Sequence, residues 1–338
     1  MGRFPCVRPV RRARRACAHT SIEVLADEVF ERMYLGITSP IVIDHPDTRA
    51  PWEHGAGIDE LARIAETADR LGYHHLTCSE HIAVPNDVAV ERGGVYWDPL
   101  ATLGFLAART HRIRLATRVL VLGYHHPLEI AKRYGTLDAV SGGRLVLGLG
   151  VGSLEEEFDL IGAPFTDRGA RADEALAALR VSLSTPQPEF HGTFYDYADL
   201  RVEPHAVQAR VPLWIGGRTP RSLRRATTLG DGWIPFGIAL DRLSEMLRRA
   251  SVPDGFDVVL ATARPLDPLG DRDGTLRSLT RRRDAGATIV GVALTSVDAA
   301  HYCDQLEALH EIAPEIGAVF EPSRPQSRPS PTKGPTPA

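Results

Sequence analysis

The stretch Gly142-Gly143-Arg144-Leu145-Val146-Leu147-Gly148-Leu149-Gly150-Val151-Gly152 carries the strongest signal of the fold. A glycine turn leads into a continuous apolar run, and glycines alternate where that run ends. A run that is apolar at every position is typical of a strand buried on both faces of a parallel sheet. Glycines at the C-terminal end of such a strand let another backbone or a flat ligand approach closely.

Apolar strands alternate with helical stretches on both sides of this segment. We expect eight strands, at residues 34–43, 74–78, 113–122, 145–149, 211–215, 232–235, 257–262 and 288–294. Eight strand–helix pairs predict an α/β fold, the (β/α)8 TIM barrel, with an insertion after strand four. A doubly wound sheet is the alternative, but it rarely reaches eight such units over this length. In a barrel the active site lies at the C-terminal ends of the strands.

Composition and charge divide the chain into three parts. Hydrophobic residues make up 43% of the sequence, which suits a sizeable core, and the net charge of -4 does not call for nucleic acid. Residues 1–32 are rich in arginine and lack the apolar run that an export signal needs, so we expect a disordered or mis-annotated extension. The barrel is expected at 33–315, and the proline-rich residues 316–338 read as a disordered tail.

Cysteine usage and hydropathy indicate the cellular compartment in which we expect the protein. The four cysteines are scattered without a CxxC pair, which argues against a disulfide framework or a zinc knuckle and suits the cytoplasm. No apolar run reaches the length of a membrane span. The paired histidine that barrel hydrolases carry after strand one is absent, so we expect no metal site. The expected partner is a small-molecule substrate, with no nucleic acid and no membrane.

His81 and Glu80 are the candidate catalytic residues. They follow the second predicted strand, which places them at the active-site end of a barrel. An imidazole at this place can act as acid, base or hydrogen-bond donor, although it can also merely cap a backbone carbonyl. Two roles stay open for Glu80: orienting the imidazole of His81, or bonding elsewhere in the barrel wall.

Arg118 is an unusual residue within the third predicted strand. Burying its charge is costly unless the guanidinium is paired or directed at a ligand. One interpretation pairs Arg118 with a buried acid such as Glu80, and the other turns it towards a bound ligand.

Two glycine-containing loops are candidates for cofactor binding. Gly216-Gly217-Arg218-Thr219 lies between the fifth strand and a helix, and such a helix start with an arginine and hydroxyls suits a phosphate. Gly150 and Gly152 are expected at the same face of the barrel. The spacing Gly148-x-Gly150-x-x-Ser153 matches a dinucleotide fingerprint only imperfectly.

Several motifs together resemble the bacterial luciferase-like monooxygenase superfamily, and most of all its branch of coenzyme F420-dependent (deazaflavin) oxidoreductases. The matching stretches are Ser79-Glu80-His81-Ile82-Ala83-Val84-Pro85, Trp97-Asp98-Pro99-Leu100, 112–122, 136–144, Glu155-Glu156-Glu157-Phe158, 190–195, Pro212-Leu213-Trp214-Ile215-Gly216-Gly217 and Gly230-Asp231-Gly232-Trp233. They occur in order over residues 34–312. The resemblance implies a barrel with a flavin-type ring at its C-terminal mouth.

The resemblance also assigns roles to residues. It implies a cis peptide bond at Arg118–Val119 behind the ring, a proton donor or acceptor at His81, and a phosphate site at Gly216–Thr219. It makes a homodimer the expected state. Many relatives have an aspartate where this chain has Glu80, and a tryptophan where it has Ser153. Related sugar-phosphate dehydrogenases have a glutamate in the place of Ser153, so a sugar phosphate is not the expected substrate.

The expected function is transfer of a hydride between coenzyme F420 and a small organic substrate. The first alternative is a monooxygenase that uses FMN and oxygen. The second is a flavin-binding protein without catalytic activity. The deazaflavin has a carbon at its reactive ring position, which makes it a hydride carrier that resists oxygen, and the protein then supplies orientation, a proton and exclusion of water.

Overall fold

A computed structural model describes residues 32–46 and 49–321. The expected extension at 1–32 lies outside these residues except for Arg32. The strands are β1 (Met33–Ile37), β2 (His75–Cys78), β3 (Arg114–Thr117), β4 (Leu120–Val121), β5 (Leu145–Gly150), β6 (Phe190–His191), β7 (Asp196–Tyr197), β8 (Leu213–Gly216), β9 (Gly232–Ile234), β10 (Asp257–Ala261), β11 (Ile289–Val292) and β12 (Ala318–Val319).

The helices lie between these strands. They are α1 (Ile58–Leu71), α2 (Asn86–Arg92), α3 (Pro99–Arg109), α4 (Pro127–Ser141), α5 (Glu155–Leu160), α6 (Arg168–Ser182), α7 (Pro220–Leu229), α8 (Leu240–Arg249), α9 (Arg272–Asp284) and α10 (Ala299–Ile312). Short 3-10 turns occur at Pro51–Gly55, Leu122–Tyr124 and Ala313–Ile316. None of the described helices is long and apolar enough to cross a membrane.

The strands form a closed parallel barrel, which confirms the predicted fold. Its order is β1-β2-β3-β5-β8-β9-β10-β11, and the pairing of β1 with β11 closes the circle. β4 continues the third barrel strand and pairs with β5. The segment between β5 and β8 is the predicted insertion, and it contains α5, α6 and the antiparallel hairpin of β6 and β7.

β5 is the strand in the quoted stretch, and it is buried along its whole length. Its leucines at 145, 147 and 149 belong to the core between barrel and helices, whereas Val146 belongs to a separate cluster with Ala116, Trp214 and Ile234. Alternate residues of a strand point to opposite faces. The large side chains of β5 therefore face the helices, and its small ones face the barrel interior.

Several boundaries differ from the prediction, and the strand expected at 34–43 already ends at Ile37. The expected disordered tail begins at 316, but Ala318–Val319 forms β12 and pairs in parallel with β1, so the folded region continues past that point. A two-residue strand is too short to show a periodic pattern. Helix α2 was also not predicted, and it has no buried residue, so it lacks the apolar spacing that identifies a helix.

Asp138 joins three parts of the barrel wall. It lies near the end of α4 and is fully buried. Its carboxylate accepts hydrogen bonds from the backbone N–H of Leu145 at 3.2 Å, of Val207 at 2.9 Å and of Gln208 at 3.0 Å, and from the Gln208 amide at 2.7 Å. One side chain thus fixes the start of β5 and the return of the insertion.

We expect Asp138→Ala to lower the free energy of unfolding by roughly 3 to 5 kcal/mol, because several buried donors lose their acceptor together. Urea denaturation followed by circular dichroism measures this. Asp304→Ala is the control, since Asp304 is exposed on α10 and a change there is expected to stay within about 0.5 kcal/mol. Equal losses in the two variants would contradict this role of Asp138.

Candidate active site

The C-terminal ends of the barrel strands surround a cavity of about 650 Å³. This size lies within the ordinary range for sites that hold a cofactor or a small ligand. Nine of the predicted site residues line it: Glu80, His81, Arg118, Val119, Gly150, Gly152, Ser153, Gly216 and Gly217. Arg218 and Thr219 lie outside its lining. The structure therefore brings most of the predicted residues to one place.

Val119 forms part of the cavity wall between two glycines. A Cβ atom at Gly150 would lie 2.7 Å from one methyl group of Val119, and a Cβ atom at Gly216 would lie 3.2 Å from the other. These glycines therefore make room for the side chain of Val119. The sequence correctly places glycines at the cavity, but the neighbour that requires them is a residue of the protein itself.

The segment that carries Val119 is held from both sides. Arg118 and Val119 lie between β3 and β4, and the peptide bond that joins them is cis, which confirms the prediction. The N–H of Arg118 donates to the carbonyl of Cys78 at 2.8 Å, and the Ser79 hydroxyl donates to the carbonyl of Arg118 at 2.5 Å. On the other side, the Thr117 hydroxyl donates to the carbonyl of Gly148 at 2.7 Å.

His81 is oriented by a glutamate that the sequence analysis did not select. Nδ1 of His81 lies 2.7 Å from Oε2 of Glu157, a residue of α5 whose side chain is fully buried, while 20% of the His81 side chain is exposed. The ring of Tyr96 packs edge-on against the imidazole at 4.4 Å. With Nδ1 donating to a carboxylate, Nε2 is the ring nitrogen left to accept or donate a proton in the cavity.

Glu157 is a buried carboxylate held by four donors. Besides His81, it accepts from the Tyr124 hydroxyl at 2.6 Å and from the backbone N–H groups of Ile82 at 2.5 Å and Ala83 at 3.1 Å. Burial opposes its ionisation, but the hydrogen bonds outweigh burial and lower the pKa of Glu157. Burial and the bond to Glu157 raise the pKa of Tyr124, which therefore stays a donor.

The carboxylate of Glu80 bonds to groups other than the imidazole of His81. Its Oε1 lies 2.7 Å from Nε2 of His125, and its Oε2 accepts from the N–H of Val121 at 2.7 Å. Burial by itself would lower the pKa of His125. The hydrogen bond and negative charge of Glu80, together with the charge of Glu129, outweigh burial and raise this pKa. Glu80 thus bonds within the barrel wall, which agrees with the second of the two interpretations.

Arg118 is not paired with Glu80. Its guanidinium donates to the Thr38 hydroxyl at 3.0 Å, and no carboxylate of the described residues forms an ion pair with it. Burial lowers the pKa of Arg118 to about 10, so the side chain remains charged at neutral pH. A partly buried cation that lines a cavity without a counter-ion favours the interpretation that it faces a ligand.

The loop at Gly216–Thr219 offers fewer free donors than expected. The N–H of Gly217 donates to the carbonyl of Ile234 at 3.2 Å, and the N–H of Thr219 donates to the Ser222 hydroxyl at 3.1 Å. The Thr219 hydroxyl accepts from the N–H of Ser222 and caps α7. The exposed guanidinium of Arg218 is the group of this loop best suited to a phosphate.

Sequence reasoning missed Glu157 although its motif was part of the resemblance. Three glutamates stand in a row at 155–157, and only the third is buried. The available signal was the position of this residue next to Phe158, which is also fully buried.

Comparison with known proteins identifies the family. The family model described as "Luciferase-like monooxygenase" matches residues 33–263, so the chain belongs to this family. An uncharacterised protein of Mycobacterium tuberculosis is 31% identical over 198 residues, which is 55% of this chain and 68% of that protein.

Two relatives with assigned activities match about half of each chain. The 4-hydroxyprotoasukamycin monooxygenase of Streptomyces nodosus subsp. asukaensis is 31% identical over 52% of this chain and 46% of its own. The F420-dependent glucose-6-phosphate dehydrogenase of Microbacterium testaceum is 30% identical over 53% of this chain and 52% of its own. The chain is therefore similar to both monooxygenases and F420-dependent enzymes.

Solved structures share the fold. The monooxygenase RslO1 of Streptomyces bottropensis has a TM-score of 0.66 at 23% identity, with 84% of this chain and 99% of that chain covered. An F420-dependent secondary alcohol dehydrogenase, in complex with an F420-acetone adduct, has the same TM-score of 0.66 at 14% identity over the same shares of 84% and 99%.

We expect Gly150→Ala to lower the free energy of unfolding by about 1 to 3 kcal/mol, because its new methyl group would overlap with Val119. Adding Val119→Ala to the same chain frees that space, so the double variant should be more stable than the sum of the single changes predicts, by about 1 kcal/mol. Thermal and urea denaturation of the three variants form the test.

Gly104→Ala is the matched control for this cycle, since a Cβ atom at Gly104 in α3 would meet nothing within 4 Å. Alanine in a helix is more favourable than glycine, so this variant should be stabilised by up to about 1 kcal/mol. Strict additivity of Gly150→Ala and Val119→Ala would show that the two sites are not in tight contact.

Proposed function

We propose that this luciferase-like protein transfers a hydride between coenzyme F420 and a small organic substrate. The observation that carries the proposal is the cavity in which Val119 lies between two strand-end glycines and His81, held by a buried carboxylate, lines the same space. Relatives that use F420 add support. A homodimer remains part of this proposal, as the resemblance implies.

The residues of the cavity fit a flat, partly polar ring system. Its lining is mostly apolar, with Val119 and Ile234 among the side chains that a ring can pack against. Arg118 adds to the lining a positive charge that forms no ion pair within the described residues. In this proposal Val119, Gly150 and Gly216 hold the ring, while Arg218 is available to its phosphate.

Proton transfer is the role of His81 in the proposed reaction. When bound, the deazaflavin supplies or accepts a hydride. In oxidation of an alcohol, Nε2 of His81 accepts the hydroxyl proton as the carbonyl group forms, and in reduction it returns that proton to the oxygen. Glu157 keeps the proton of His81 on Nδ1, so that Nε2 is free to act as the base.

A monooxygenase that uses FMN is the second candidate. It is supported by the 31% identity to a monooxygenase, and the same cavity is large enough for either ring system. A binding protein without catalysis is the third possibility. These three proposals differ in the ligand that the cavity prefers and in the effect of removing His81.

Fluorescence titration of the full chain with F420 and, separately, with FMN distinguishes the two cofactors. We expect F420 to bind at least about tenfold more tightly, a difference of about 1.4 kcal/mol. His81→Ala should leave the F420 affinity within about twofold and lower turnover by roughly 10²-fold or more. Tighter binding of FMN would instead support the monooxygenase as the function of this protein. Oxygen consumption would then be the next assay. Unchanged turnover in His81→Ala would refute the role of this residue.

Glu157→Gln tests the positioning of His81. The backbone N–H groups of Ile82 and Ala83 require an oxygen at one end of the side chain, so the glutamine must turn its NH2 towards His81. Nδ1 of the imidazole then accepts a hydrogen bond, and the proton of the neutral ring lies on Nε2. Nε2 can therefore no longer accept a proton from the substrate. We expect kcat to fall by about 10- to 100-fold, with KM and F420 affinity within about threefold.

Glu156→Gln is the control for this variant, because Glu156 is the adjacent glutamate and is exposed. It should retain the kcat of the parent protein. A Glu157→Gln variant that raises KM and weakens F420 binding as much as it lowers kcat would indicate a purely structural role for Glu157.

A further inference from the structure

A second cavity, of about 760 Å³, adjoins the first. It lies between the segment 235–243 that follows β9, the segment 260–266 at the end of β10, and the helix α9. The two cavities share Arg118, Phe236 and residues 261–263 in their linings. They are therefore two parts of one open space at the mouth of the barrel.

Every charged residue that lines the second cavity is an arginine. Five arginines, named here the arginine cluster, contribute to it, and none of its lining residues is an aspartate or a glutamate. The members of the cluster are Arg118, Arg264, Arg277, Arg281 and Arg282. Because the whole chain has a net charge of -4, this concentration is a local feature and does not follow from the overall composition.

Three of the five guanidinium groups of this cluster are available to a ligand. Arg264, Arg277 and Arg281 are exposed, and none of them forms an ion pair with a carboxylate in the described part of the chain. Arg282 instead donates to the carbonyl of Ala261 at 2.9 Å and to Ser278 at 2.7 Å. Burial, and to a lesser extent the neighbouring Arg281, lowers the pKa of Arg282.

Several arginines outside the cluster pair with carboxylates. Arg272 at the start of the same helix pairs with Glu315 at 2.5 Å, and Arg180 pairs with Asp231 at 2.6 Å. Like charges held together without partners repel one another and favour an anionic ligand that compensates them. Guanidinium groups match the geometry of carboxylate and phosphate groups, which they bind through two parallel hydrogen bonds.

We propose that the arginine cluster binds the negatively charged group, a carboxylate or a phosphate, of the substrate whose uncharged reacting carbon lies in the first cavity. This inference rests on the proposed hydride transfer and specifies its substrate as an anionic organic molecule. Such a reaction must hold two reactants side by side, and the two connected cavities provide that space. The phosphate of the cofactor is expected after β8, whereas four of the five members of the cluster follow β10, two strands further along the barrel.

Isothermal titration calorimetry of the full chain with pyrophosphate and with citrate tests the proposal. We expect the parent protein to bind at least one of them at low salt, and the preferred probe identifies a phosphate or a carboxylate as the group recognised. Arg277→Glu and Arg281→Glu should each weaken this binding by about tenfold or more. Arg248→Glu is the control with the same change in charge, since Arg248 is exposed on α8 and does not line the cavity.

The outcomes separate the possible occupants. F420 affinity that is equal in the parent and in Arg281→Glu supports a substrate site. Weaker binding of F420, but not of its ring fragment without the phosphate, would assign the cluster to the cofactor and overturn the proposal. Absence of anion binding by the parent, or equal losses in Arg281→Glu and Arg248→Glu, would also overturn it. Failure of the hydride-transfer proposal is seen separately, as absence of F420 binding by the parent protein.

Discussion

The fit of the Val119 side chain between Gly150 and Gly216 is the contact on which the candidate site depends. Each glycine leaves space for one methyl group, and a Cβ atom at Gly150 would lie only 2.7 Å from Val119. The hydrogen bonds of Cys78 and Ser79 hold the preceding residue from the other side. Three barrel strands therefore fix one apolar surface, and a packed interior of this kind does not deform gradually.

Charge is distributed unequally around this apolar surface. On the side of β2 and the insertion, the buried carboxylate of Glu157 compensates its own burial with four hydrogen bonds, one of them from His81. On the side of β9 and β10, the arginine cluster has no carboxylate in its lining. A ligand that spans the mouth would meet the imidazole of His81 at one end and positive charge at the other, which fixes its direction.

The insertion after β5 contributes to both stability and the site. It supplies Glu157, which holds the cavity residue His81, and its last residues return to the barrel wall through the bonds of Val207 and Gln208 to Asp138. The family shares a barrel that supports both monooxygenases and F420-dependent dehydrogenases. Since the strands of such barrels serve mainly as a scaffold, the residues at their ends and in the insertion determine which chemistry is carried out.

The barrel could be predicted from the amino-acid sequence, because buried strands and amphipathic helices have periodic patterns that are local. The sequence also indicated that His81 and Gly150 lie at strand ends that face the mouth. Three-dimensional packing was needed to show that Glu157 rather than Glu80 orients His81, and that Val119 is the neighbour that requires Gly150. These contacts join residues far apart in the chain, and adjacent glutamates look alike in a sequence until packing buries one of them.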